Sequence, residues 1–140
     1  MSQSDASALF GQEHVRSYRE TDGEVGHDWK GTQTLLLTTT GRKSREPRTT
    51  PLNYGRSGED YLVVASRGGS DSSPGWYLNL SERPEVEVQV MGDRFRARAR
   101  NATAEEKPAL WTEMTGHWAP YDEYQRKTER EIPVVVLERR

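Results

Sequence analysis

Two alternating runs separated by a glycine constrain this chain more than any other feature. Val86, Val88 and Val90 alternate with Glu87 and Gln89, and Phe95, Ala97 and Ala99 alternate with Arg94, Arg96, Arg98 and Arg100. A period of two puts each apolar set on one face of a strand. Gly92-Asp93 between them is suited to a two-residue turn. The register this implies sets Val90 against Phe95, Val88 against Ala97 and Val86 against Ala99. On the polar face Glu87 then meets Arg98 and Gln89 meets Arg96. A lone hairpin is marginal in water, so other segments must cover its apolar face.

Several segments carry the strand signals to do so. Residues 34–40 hold Leu35, Leu36 and Leu37 in an unbroken run, as in a strand covered on both faces. Residues 49–54 are interrupted by Pro51, which confines them to an edge or a bulge. Residues 60–65 follow a Ser57-Gly58 turn, and residues 132–137 close the chain with Pro133 near their start. Helices punctuate these strands. A short one is expected over residues 14–20, packed as a flap. Another is expected over 74–80, with Ser73 as cap and Pro74 at the first helical position. A third opens at the Thr103–Glu106 capping box and carries Leu110, Met114 and Trp118 at intervals of four. The order predicts an α+β fold, a small and mostly antiparallel barrel with flanking helices. At 140 residues the chain is one domain, read as a loose tail over 1–12 and a folded unit over 13–140.

Composition removes whole classes of function. With no cysteine there is no thiol nucleophile, disulfide scaffold or thiolate metal site, which fits a cytoplasmic protein. His14, His27 and His117 lack ligand spacing, so no metal is expected. A net charge of −2 gives no general attraction to nucleic acid, and no aromatic residues alternate with the arginines of residues 94–100 as a stacking platform. No run approaches the ~18 apolar residues of a membrane span. The acids and bases between Asp122 and Glu131 interleave, as on a solvated charged face.

Three groups of residues point to a ligand instead. Arg42, Lys43, Arg45 and Arg48 crowd one short loop, where cations can grip phosphate. Ser66-Arg67-Gly68-Gly69 follows a buried strand and precedes a helix start, a combination that lets backbone approach an anion. Trp76 and Tyr77 lie beside it. Trp118, Tyr121 and Tyr124 recur every three residues within a polar segment and suit the lip of a pocket for a flat ring. Walker, Rossmann and G-x-S-x-G patterns are absent.

Residues 38–44 (TTTGRKS), 48–52 (RTTPL), 65–69 (ASRGG), 75–80 (GWYLNL), 121–125 (YDEYQ) and 132–136 (IPVVV) together resemble the deazaflavin-dependent nitroreductase family, in matching order from about His14 to the C-terminus. The resemblance implies a split β-barrel of flavin-reductase type. It implies coenzyme F420 as cofactor and hydride transfer to a quinone, an enone or a nitroaromatic. By the same resemblance Lys43 and Arg48 hold the cofactor phosphate and acidic tail. Ser66, Arg67, Gly68 and Gly69 follow the phosphate and ring edge, with Gly75 and Trp76 beside them. Asn53, Trp118, Tyr121 and Tyr124 line the acceptor pocket, with Asn53 and Trp118 standing where nitroreductase members carry tyrosine. Tyr121, then Ser66, is the candidate proton donor or oxyanion stabiliser. An FMN-dependent split-barrel reductase and a non-catalytic cofactor carrier are the alternatives. A homodimer and a peripheral membrane contact of the N-terminal flap are left open.

Overall fold

The computed structural model describes residues 11–29 and 31–140. Helix α1 (Gly11–Thr21) leads through a turn to β1 (Asp28–Trp29) and the long β2 (Thr32–Thr40). Three strands follow in sequence: β3 (Pro47–Asn53), β4 (Gly55–Ser57) and β5 (Asp60–Val64). Helix α2 (Gly75–Glu82) precedes the hairpin of β6 (Glu85–Val90) and β7 (Asp93–Asn101). Helices α3 (Lys107–His117) and α4 (Tyr121–Lys127) and strand β8 (Val134–Arg139) complete the chain. Every strand pair is antiparallel, in the order β1-β2-β6-β7-β8-β5-β4, with β3 also on β2.

This sheet curls into a barrel that does not close. β3 and β4 are joined through Tyr54 alone, yet β3 pairs with β2 and β4 with β5. No ladder is formed between β3 and β5. Pro51, opposite Leu36 in β3, has no N–H to give, which keeps β3 at an edge. The expected α+β split barrel is therefore present, and its seam runs between β3 and β5.

Coverage on two faces explains the unbroken apolar runs. Leu35, Leu37, Val63, Val86, Val88, Ala97, Val135 and Leu137 fill the interior with Trp76 and Leu80 of α2. On the opposite face Leu62, Val64, Val134 and Val136 pack against Met114 of α3 and Tyr121 of α4. Leu36 points away from the interior to meet Val15 and Tyr18 of α1. Each fully buried Leu or Val contributes roughly 1.5–3 kcal/mol relative to exposure.

Several local expectations are corrected. The β6–β7 hairpin closes in another register: Val90 faces Asp93, Val88 faces Phe95, Val86 faces Ala97 and Glu85 faces Arg98. The turn is Met91-Gly92, with Met91 at φ +55°. The Tyr18 hydroxyl accepts a 2.8 Å bond from the Met91 N–H. Gly23 makes room for this turn, since a Cβ there would lie 2.7 Å from Met91 Cα. A slip of two positions preserves the face of every side chain but changes its neighbours. Arg98 thus pairs with Glu85 at 2.7 Å rather than with Glu87.

At α2 the cap is Pro74, not Ser73, and the helix starts at Gly75. Both capping-box bonds form, Thr103 N–H to Glu106 Oε1 at 2.8 Å and Glu106 N–H to Thr103 Oγ1 at 3.2 Å. They close a turn ahead of α3 rather than its first turn, and Trp118 lies past the helix end. The tail expected over residues 1–12 falls, up to residue 10, outside the described residues, while Gly11 and Gln12 already belong to α1. No helix among the described residues is long and apolar enough to cross a membrane.

Candidate functional site

A cleft of about 440 Å³ opens at the seam. One wall is β3, through Thr50, Pro51, Leu52 and Asn53. The floor is the end of β5 and the loop after it, through Val64, Ser66, Arg67 and Gly68. Pro74 and Trp76 at the start of α2 form one side, and Trp29, Trp118, Tyr121 and Tyr124 form the other. Asn53, Ser66, Arg67, Gly68, Trp76, Trp118, Tyr121 and Tyr124, all singled out from sequence, meet here. Lys43, Arg48, Gly69 and Gly75 do not line the cleft.

The loop after β5 has an unusual backbone. Ser66 is right-handed at φ −83°, ψ −37°, while Arg67 and Gly68 follow at φ +47° and +64°. Successive N–H groups in such a sequence form a concavity that suits an anion. A Cβ on Gly68 would meet nothing within 4 Å, so this stretch opens into the cleft. Gly69 has a different task. Its Cβ would lie 2.8 Å from the Tyr124 carbonyl oxygen, at φ +87°. It lets the loop press against α4 rather than against a ligand.

Arg130 completes this anchorage. Its Nε donates to the Ser70 carbonyl at 2.7 Å, and its Nη2 donates to Ser66 at 2.8 Å and Ala65 at 3.2 Å. It is half-buried, not part of the solvated charged face expected from sequence. Thr128 adds a 2.5 Å bond to Asp71. Nothing local marks Arg130 for this role, because it is one cation in a run of mixed charge.

The cationic β2–β3 turn sits on α2. Arg42 donates from its backbone N–H (3.1 Å) and from Nη1 (2.9 Å) to Asn79 Oδ1. Asn79 is buried and donates in turn to Thr39 Oγ1 at 3.1 Å. Arg48 pairs with Thr39 in the ladder and Thr50 with Leu37, so Arg48 and Thr50 share a face of β3. That face carries Thr50 into the cleft. Lys43 and Arg48 are exposed. The turn therefore lies on the same side of the barrel as the helix that borders the cleft.

The aromatic side is linked together. Trp29 and Trp118 have ring centroids 6.3 Å apart, Trp118 Nε1 donates to the Tyr124 hydroxyl at 3.3 Å, and Tyr121 meets Tyr124 edge-on at 6.1 Å. Tyr121 is buried, and burial pushes its phenol well above the usual tyrosine range. A hydrogen bond with Asn53 acts in the opposite sense, and the nearby Tyr124 adds to the rise. At neutral pH the phenol keeps its hydrogen. Nothing in the sequence marks Trp29 as a wall, because residues 21–31 are glycine-rich and carry no apolar period. Among the described residues no cluster of His, Asp and Glu could hold a metal.

A family model described as F420H(2)-dependent quinone reductase matches residues 10–139. The F420H(2)-dependent quinone reductase of Mycobacterium tuberculosis (strain ATCC 25618 / H37Rv) is 46% identical over 131 residues, covering 91% of this chain and 88% of that protein. The solved structure of an F420-H2 dependent reductase (FDR-A) matches with a TM-score of 0.70 at 39% identity, covering 75% of this chain and 93% of its own. A further solved chain, described as a domain-swapped dimer, matches with a TM-score of 0.73 at 36% identity, covering 89% and 96%.

Proposed function

The chain belongs to the F420H(2)-dependent quinone reductase family, and we propose that the seam cleft is where it holds its cofactor and its acceptor. It is an F420H2-dependent reductase. The observation that carries the site is the meeting, in one cleft, of a backbone concavity at Ser66–Gly68 with a wall of indoles and phenols. A phosphate with an acidic tail calls for N–H donors and cations, and a flat ring calls for aromatic sides. The residues present fit both demands.

Ser66, Arg67, Gly68 and the first free N–H groups of α2 would receive the phosphate. Lys43 and Arg48, outside the cleft wall, would reach the acidic tail from the neighbouring turn. Trp76 would border the ring. When bound, the reduced cofactor supplies a hydride. The chain's own work is to hold the acceptor flat against that ring and to keep water out. Tyr121 retains its hydrogen, and with Asn53 directed at its oxygen that hydrogen is available to an acceptor oxygen gaining negative charge. Ser66, itself buried, is the second donor in reach of the cleft. The acceptor range extends to enones and nitroaromatics, which likewise present a flat, electron-poor system bearing an oxygen that gains charge.

The test is steady-state oxidation of reduced F420 by menadione, followed by the return of F420 absorbance. Turnover is expected with F420 and not with reduced FMN. Tight F420 binding without turnover would make the chain a carrier and would refute the reading.

A further inference from the structure

A second chamber, of about 250 Å³, lies between α1 and β3. Trp29, Thr50, Pro51 and Asn53 border both it and the cleft, so the two spaces adjoin. The residue that sets the second chamber apart is His14 of α1. His14 is only 2% exposed. Its Nε2 lies 2.8 Å from the Gly26 carbonyl oxygen. A carbonyl can only accept, so Nε2 carries a hydrogen. The Thr34 hydroxyl donates to the same carbonyl. Gly26 permits the contact: at φ +110°, a Cβ there would come within 3.0 Å of His14 Cδ2. The other ring nitrogen, Nδ1, makes no hydrogen bond among the described residues.

We propose that the second chamber receives the far oxygen of a quinone and that His14 Nδ1 gives that oxygen its proton. The proposal rests on the quinone reductase reading and names what completes its reaction. A quinone carries two oxygens at opposite ends of one ring. With one oxygen at Tyr121 and Asn53, the other extends past Asn53, which borders both spaces, toward His14.

The balance is simple. The quinone takes a hydride, two electrons and one hydrogen nucleus, from the reduced cofactor, and a proton from Nδ1 of His14, and so becomes the hydroquinone. The cofactor, which also gives up a proton to solvent with its hydride, is left oxidised. Because the Gly26 carbonyl holds the Nε2 hydrogen, the proton that leaves is the one on Nδ1, and the neutral tautomer that remains is the one this carbonyl requires. Solvent, which has taken up the cofactor's proton, returns one to Nδ1. The groups packed on the ring from other elements are the Gly26 carbonyl, the Trp29 indole with its centroid 6.1 Å away, and the Thr34 hydroxyl. Tyr18, on the same helix, completes the surroundings of the Gly26 contact.

Two measurements test this. In the first, full-length protein with 15N-labelled histidine and bound oxidised F420 is titrated with menadiol, and the His14 ring nitrogens are followed by NMR. The Nδ1 resonance should shift, while Nε2 should keep its hydrogen throughout. In the second, His14→Gln retains a donor for Gly26 but has no acid to offer. It should bind oxidised F420 as the unaltered protein does and lose about 10²-fold in kcat with menadione. An Nδ1 resonance indifferent to menadiol, or unchanged kcat in a folded His14→Gln variant, overturns the proposal. If His14→Gln does not fold, the NMR titration decides alone. Failure of the unaltered protein to oxidise reduced F420 with menadione would instead refute the reductase reading.

Discussion

Arg130 and Lys43 are both cations near the cleft, and they are held in opposite ways. Arg130 is half-buried, with its guanidinium occupied by the carbonyls of Ala65, Ser66 and Ser70. Gln125 braces it from behind, donating to the Arg130 carbonyl at 2.8 Å and accepting from the Ile132 N–H at 2.9 Å. The Lys43 side chain stands exposed, with no hydrogen bond or ion pair among the described residues. On the proposed reading the two cations divide the labour of binding an anion: Arg130 would shape the backbone that meets the ligand, and Lys43 would keep its charge for the ligand itself. A count of positive residues cannot tell these tasks apart; the number of hydrogen bonds already made can.

The contrast is broken most directly at Arg130. Arg130→Met should cost about 3 kcal/mol, because buried carbonyls lose a charged donor. Thermal unfolding should show the loss, and F420 affinity should fall with it as the Ser66–Gly68 concavity loosens. An unchanged Tm would remove Arg130 from its anchoring role. Gly69→Ala should cost about 2 kcal/mol, from a positive φ and a backbone clash with Tyr124. It probes the same loop from its other side, and a variant as stable as the parent would show that the loop is not pressed on α4 in solution. Tyr121→Phe should lower kcat with menadione about tenfold, equivalent to about 1.4 kcal/mol, with F420 affinity intact. Lys43→Ala should leave Tm unchanged and weaken F420 binding about fivefold, an effect of about 1 kcal/mol that fades as salt is added. A drop in Tm for Lys43→Ala would place it with Arg130 and erase the distinction.

Much of the site could be read from local pattern because its parts are local. A buried strand followed by Ser66-Arg67-Gly68, a helix opening at Gly75 and aromatic residues three apart each announce themselves within a few positions. What could not be read is what these parts lean on. Arg130 reaches the Ser66 carbonyl across 64 positions of chain. Gly69 resembles Gly68 in sequence, yet one faces α4 and the other the cleft. Trp29 enters both spaces, and His14 the second, only because α1 packs on β3 and β1 pairs with β2.

The sequence by itself determined which face of each strand is buried and that Pro51 leaves β3 at an edge, and it set the expectation of an anionic, flat ligand beside the diglycine loop. These follow from side-chain period, missing N–H groups and local backbone freedom, which need no distant partner. The tertiary structure alone decided the register of the β6–β7 hairpin. A strand pattern of period two reads the same after a slip of two, so only the Tyr18 hydroxyl on Met91 and the space left by Gly23 select the observed turn. It also decided which glycine serves packing and which cation serves structure, since both depend on what stands opposite in space.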